Sequence, residues 1–131
     1  MELENKYSEK HSDILVLPLQ IQSANKILRQ HWAVRSRAKK EYALFVRNQM
    51  KTRGIVKAEC KKYKLTIISY RKRKLDFDNL VLGCKGLIDA MIDENLIYDD
   101  SPDYIDVTYE QYTKKEHKHF KESTVIIREA I

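Results

Sequence analysis

Between Trp32 and Arg53 apolar side chains return at helical spacing, and Gly54 stands directly after the last turn. Ala38, Tyr42, Phe45, Val46 and Met50 share one side of the pattern, while Arg35, Arg37, Lys39, Lys40, Arg47 and Lys51 occupy the other. Glycine closes such a helix because it tolerates the left-handed conformation that ends the last turn. One long amphipathic helix over 32–53 is therefore predicted, and the remaining chain has to cover its apolar stripe.

The covering material reads mainly as strands. "ILVLPLQI" (14–21) is apolar and β-rich, and Pro18, which has no amide N–H, suits an edge position. "QSANKILRQHW" (22–32) reads as a loop carrying Asn25, Arg29 and His31. "KYKLTIISY" (62–70) alternates Tyr63, Leu65, Ile67 and Ser69 and is the strongest strand signal. A second helix is predicted over about 79–93, followed by strands at 104–112 and 120–129 joined by a polar loop. The order β-α-β-α-β-β predicts an α+β fold, a small mixed sheet with two main helices packed on one side.

Composition narrows the class. At 131 residues the chain is expected to form one domain, with the polar segment 1–12 flexible. A hydrophobic share of 43% beside 34% charged residues excludes a disordered chain. No apolar run reaches the roughly 20 residues of a membrane helix, and "MELENKYSEKHSD" is unlike a secretory signal. Cys60 and Cys84 lack CxxC spacing and read as buried free thiols in a reducing cytoplasm. A net charge of +6 favours an anionic partner.

"RKRKLDFDNL" (71–80) sharpens that expectation. The cations Arg71, Lys72, Arg73 and Lys74 run straight into Asp76 and Asp78. In an extended segment Asp76 and Asp78 would share a face, with Leu75 and Phe77 buried on the other. Carboxylates so close repel each other unless a cation lies between them, and hard oxygen ligands suit Mg²⁺ or Mn²⁺. The plainer alternative is that Asp78 caps the next helix while Asp76 is solvated.

The next helix favours the first reading. At 100° per residue, Asp78, Leu82, Lys85 and Asp89 fall on one face, opposite Leu80, Cys84, Leu87, Ile88 and Met91. Lys85 lies about 10 Å along the axis from Asp78, within reach of the acidic pair, and is expected to pair with Asp89 at i,i+4. "LIYDDSPDYI" (96–105) then places Asp99 and Asp100 in a turn before Ser101-Pro102, after a short extended piece at Ile97 and Tyr98. Acids holding a divalent metal, a lysine beside them and dense surrounding cations fit a phosphodiester of a nucleic acid. The cations would bind flanking phosphates while the metal activates water.

These residues resemble the RusA-type Holliday-junction resolvases and their phage and prophage relatives. The likeness centres on "LDFDNLVLGCKGLIDAMIDENLIYDDSPDYI" (75–105), with D-x-D-N, a lysine four residues before an aspartate, and a later D-D. "NKILRQHWAVRSRAKKE" (25–41) resembles the family's Asn/Arg/His-Trp stretch leading into the first helix. "LVLGC", between Asn79 and Lys85, makes this segment longer than in the best-known bacterial form. The resemblance implies a homodimeric, Mg²⁺- or Mn²⁺-dependent endonuclease that cuts four-way junctions in recombination and repair. Asp76, Asp78 and Asp100 would be its catalytic, metal-holding acids and Lys85 its essential lysine, supported by Asn79, Asp89 and Asp99. The DNA surface would comprise Arg29, His31, Arg35, Arg37, Lys39, Lys40 and the run Arg71, Lys72, Arg73, Lys74.

Other readings have distinguishable signatures. A non-catalytic nucleic-acid-binding module explains the charge but has no use for acids that repel phosphate. An EF-hand starting at Asp76 would put Val81 where glycine belongs and Leu87 where glutamate belongs. His117 and His119 lack a third zinc ligand nearby and read as solvated. The expected homodimer would use apolar side chains of the strands at 62–70 or 104–112.

Overall fold

The computed structural model describes residues 12–113, 115–116 and 121–131, so His117 and His119 lie outside it. Strands β1 (Asp13–Leu17), β2 (Tyr63–Arg71), β3 (Ile105–Thr113) and β4 (Ser123–Ala130) form one sheet in the spatial order β1-β4-β2-β3. β4 is antiparallel to β1 and β2, whereas β2 and β3 are parallel, so the sheet is mixed as expected. β1 lies at an edge and stops just before Pro18. Gln49 accepts a hydrogen bond from the Val16 N–H at 3.0 Å, satisfying a backbone donor of that edge strand.

The helices are α1 (Ala24–Arg29), α2 (Trp32–Arg53), α3 (Phe77–Gly83) and α4 (Lys85–Asp93). α2 has the bounds expected for it; Gly54 caps it at φ 64, and Tyr42, Val46 and Met50 are its buried residues. These pack with Leu87 and Met91 of α4 and with Leu15, Leu65, Ile67 and Ile126 of the sheet. β2 does not alternate as its sequence suggests. It is interior, and every residue after Lys64 is buried. Ile14, Ile68, Tyr70, Val125 and Ile127 form a second apolar cluster on the face opposite Leu65 and Ile67.

Several local expectations are corrected. Residues 24–29 are helical rather than looped, because the Ser23 hydroxyl accepts from the Lys26 N–H and caps α1. The helix expected over 79–93 starts at Phe77 and is interrupted at Cys84, between α3 and α4. A Cβ on Gly83 would meet the Gln22 carbonyl oxygen at 2.1 Å, so glycine permits this close approach of the 18–23 segment. Residues 96–98 are bends rather than an extended piece, and the turn leaving α4 passes through Asn95, whose φ of 62 suits asparagine. Cys84 is buried, its thiol pushed up to about 12 by desolvation, whereas Cys60 is exposed; both are free.

Two ion pairs tie elements together. Arg128 is buried, donates to Asp13 at 2.6 Å and to the Leu96 carbonyl at 2.9 Å, and so joins β4, β1 and the segment after α4. Arg47 grips Glu94 with two bonds of 2.8 and 3.0 Å, joining α2 to the end of α4. The Arg47 hydrogen bond holds the Glu94 carboxyl below its ordinary 4.5. A depressed carboxyl stabilises the fold above its unfolded pKa and loses that contribution as pH falls through the folded one. The Tm advantage of the native protein over Glu94→Gln should therefore be largest above about pH 5 and shrink as pH falls below that. A gap that persists at the acid end would remove the pair from the acid response.

Candidate active-site cleft

The acidic segment is held from outside. Gln111 on β3 accepts from the Leu75 N–H at 2.9 Å and donates to the Leu75 carbonyl at 2.7 Å. This two-point clamp fixes the backbone one residue before Asp76. Asp76 is the N-cap of α3 with extended φ and ψ of −56 and 144, and Asp78 lies in the first helical turn. They do not form the extended same-face pair expected for them, because the chain turns helical at Phe77. An N-cap aspartate ordinarily accepts from the first-turn amides; the Asp76 carboxylate makes no such bond and remains available to a ligand. Phe77 is 60% exposed instead of buried, its ring edge-on to Tyr109 at 6.2 Å.

Between the end of α3 (Val81 and Leu82), α4 and the beginning of β3 lies a cleft of about 330 Å³. Lys85, Asp89 and Asp100, far apart in sequence, line it together with Leu82, Val107 and Tyr109. Burial raises the Tyr109 hydroxyl above its ordinary value, which keeps it a neutral donor. Asp100 reaches the cleft in a bend, its N–H donating to Asp99 at 2.8 Å. The hydrogen-bonded turn expected at Asp99-Asp100 instead follows them, where the Tyr104 and Ile105 N–H groups donate to the Ser101 carbonyl at 2.9 and 3.1 Å. Asp89 pairs with Lys39 of α2 at 3.8 Å rather than with Lys85. Among the described residues Lys85 has no ion-pair partner within 4.0 Å, the acidic pair included. Asn79 is half-buried at the start of α3. Asp76 and Asp78 do not line the cleft, although Phe77 between them touches its Tyr109 wall.

The oxygen donors suit Mg²⁺ or Mn²⁺ in kind. They do not suit it in placement: no three His, Cys, Asp or Glu side chains among the described residues stand together closely enough to hold a metal ion. Asp76 and Asp78 occupy the start of α3, and Asp100 the far wall of the cleft.

The basic run divides into two kinds of residue. Arg71 completes β2 on the same side as Leu65, Ile67 and Ser69 and is only 8% exposed. Its guanidinium donates to the Ile21 carbonyl at 2.5 Å, the Arg73 carbonyl at 3.1 Å and the Ser69 hydroxyl at 3.3 Å. It therefore belongs to the interior and not to the DNA surface expected for it. Lys72, Arg73 and Lys74 are exposed, with Lys72 3.8 Å from Glu122 and Lys74 2.9 Å from Glu116. Arg29, Arg35, Arg37 and Lys40 lie on α1 and α2 with their side chains at least partly open to solvent. His31 caps α2, its Nδ1 accepting from the Ala33 N–H at 3.2 Å, with its ring 5.5 Å from that of Trp32.

Two residues of β3, one lining the cleft and one holding Leu75, escape a reading of motifs. Gln111 looks like a polar strand residue, and only the parallel register of β2 and β3 brings it under Leu75. Tyr109 likewise carries no local signal beyond strand alternation. Asp106 also borders the cleft, but alternation turns its side chain away from the face of Val107 and Tyr109. No protein-family model matches this chain, and no curated protein matches it significantly. No helix among the described residues is long and apolar enough to cross a membrane.

Proposed function

We propose that this protein is a divalent-metal-dependent endodeoxyribonuclease of the RusA type, acting in the cytoplasm on four-way or otherwise branched DNA. The observation that carries the reading is the cleft itself. It gathers Lys85, Asp89 and Asp100 from distant parts of the sequence, while Asp76, whose carboxylate makes no capping bond, stands outside it at the start of α3. Exposed cations of 72–74 and of α2 supply charge for the flanking phosphates. In this reading Asp76, Asp78 and Asp100, which stand apart here, would have to be drawn together on the DNA to hold Mg²⁺, and the ion would supply positive charge against the phosphate. Lys85 places a second positive charge against the same phosphate. Gln111 keeps Asp76 in position, and the Lys39–Asp89 pair holds the wall that carries Lys85. Paired nicks in strands of like polarity call for two such sites related by a twofold axis, hence a homodimer. β3 is an edge strand and is the better interface candidate; β2 is flanked on both sides and has no free edge.

A second reading, a branched-DNA-binding protein without catalysis, draws on the separation of the acids. One gel discriminates them. Purified protein with a synthetic four-way junction, the matching linear duplex and a flap, with and without Mg²⁺, should give symmetric nicks in the junction only when Mg²⁺ is present. Retarded but uncut junction at every Mg²⁺ concentration would leave the binding protein.

A further inference from the structure

Leu82, Lys85 and Asp89 form a wall with a cavity on each side. The second cavity, about 430 Å³, opens between α1, α2 and the α3–α4 junction. That volume is within the range of about 300–1,000 Å³ found for small-ligand sites. Its lining includes the apolar Ala24, Ile27, Ala38 and Tyr42 ring, and Leu28 beside them is 74% exposed. Arg35 and Lys85 border it with positive charge, and Lys39 and Asp89 border it as an ion pair. Gln30 borders it too, and its Oε1 is buried without a hydrogen-bond partner.

We propose that this cavity receives one unpaired nucleobase of the strand whose phosphate lies against Lys85 in the neighbouring cleft. The inference rests on the nuclease reading and adds how that site selects branched DNA. A nucleobase is flat and apolar on its faces, which matches the lining, and carries N–H donors on its edge, which match the unused Gln30 acceptor. Its attached phosphates are anionic, which matches Arg35 and Lys85. An acyl chain would leave Gln30, Arg35 and Lys85 unanswered; an acidic peptide would leave the apolar lining so. The shared wall supplies continuity, because a strand with its phosphate on one side of Lys85 has its base within reach of the other. Bases at a branch point are already unstacked or easily extruded, whereas a paired duplex base must first be broken out. Occupancy of the cavity therefore favours branched over linear substrate.

The test uses 2-aminopurine, placed one position at a time around the exchange point of a four-way junction and titrated with protein without divalent cation. One position should brighten about threefold or more on binding, as an extruded base does. Leu28→Ser, at an exposed position, and Gln30→Leu should each remove most of that brightening while far-ultraviolet circular dichroism stays native. Brightening at no position of a bound junction, or equal brightening in both variants, overturns the proposal, as does failure to bind the junction. Cleavage with Mg²⁺ is scored separately. Variant-sensitive brightening without cleavage would support the cavity as a base site and remove the nuclease reading alone.

Discussion

Asp76→Asn, Asp78→Asn and Asp100→Asn should each lower junction cleavage by about a hundredfold or more, the scale of removing one pre-positioned electrostatic group. Affinity for the junction should hold or rise, because each change removes a negative charge that repels phosphate. The Asp76 carboxylate makes no capping bond and Asp78 and Asp100 are exposed, so thermal stability should change little. A fallen rate with fold and binding kept is what separates a catalytic acid from a structural one. Lys85→Ala should reduce turnover far more than affinity, and Asp89→Asn less than Lys85→Ala, since Asp89 acts through Lys39 and the wall. Single-turnover rates beside gel-shift affinities would decide. Near-native cleavage by Asp78→Asn would withdraw it from the site.

Arg71→Met should unfold the protein at markedly lower temperature, by about 3 kcal/mol, the scale of breaking a buried charged network. Its three hydrogen bonds bind the end of β2 to Ile21 and to the turn at Arg73, and the Ile21 carbonyl would be left without this donor. Replacing Lys72, Arg73 and Lys74 together by glutamine should do the opposite. Stability should move by less than about 1 kcal/mol, because exposed pairs such as Lys74–Glu116 contribute little. The slope of log affinity against log salt should become shallower by about one unit for each phosphate that the variant leaves unneutralised. A triple variant that keeps its salt slope would turn this run away from DNA. Thermal melts of both proteins, with binding at several salt concentrations for the triple variant, distinguish the two roles within one four-residue stretch.

How much of the molecule is legible from its residues follows from how local each signal is. α2 can be read to its bounds because a long periodic stripe ends on a glycine in the left-handed region. The mixed α+β class is legible too, but the expected β-α-β-α-β-β order is not, since α1 is added and the second helix is split into α3 and α4. α1 escapes because six residues with one buried side chain, Ala24, carry almost no periodicity; its signal is Ser23 as a cap. The interruption at Cys84 has no sequence signature of its own, since that residue is itself near-helical and what adjoins it is the Gln22 carbonyl at Gly83. Arg71 misleads for a different reason. Strand parity, continued two residues past Ser69, points it inward, but the charge run around it suggests a solvent-facing patch. At the site, Asp100 and Lys85 line one cleft, whereas Asp76 and Asp78, which the same motif groups with them, stand outside it. The partner of Asp89 is not legible, because Lys39 comes from another helix.

The strand order carries a consequence for how this molecule comes into being. β4, the last strand, lies between β1 and β2, so its two neighbours are separated from it by the length of the chain and by its second half, respectively. During synthesis β1 has no partner until β4 has left the ribosome, and the Arg128–Asp13 pair cannot close before then. The stretch from β2 through α3 and α4 to β3 needs no such delay, because its parallel pairing is internal to residues 63–113. The cleft thus belongs to a continuous segment able to pair early, while the seam that joins it to the amino-terminal strand is sewn last. Contacts so distant in sequence slow folding, and until β4 arrives β2 exposes an unpaired edge to any neighbouring chain.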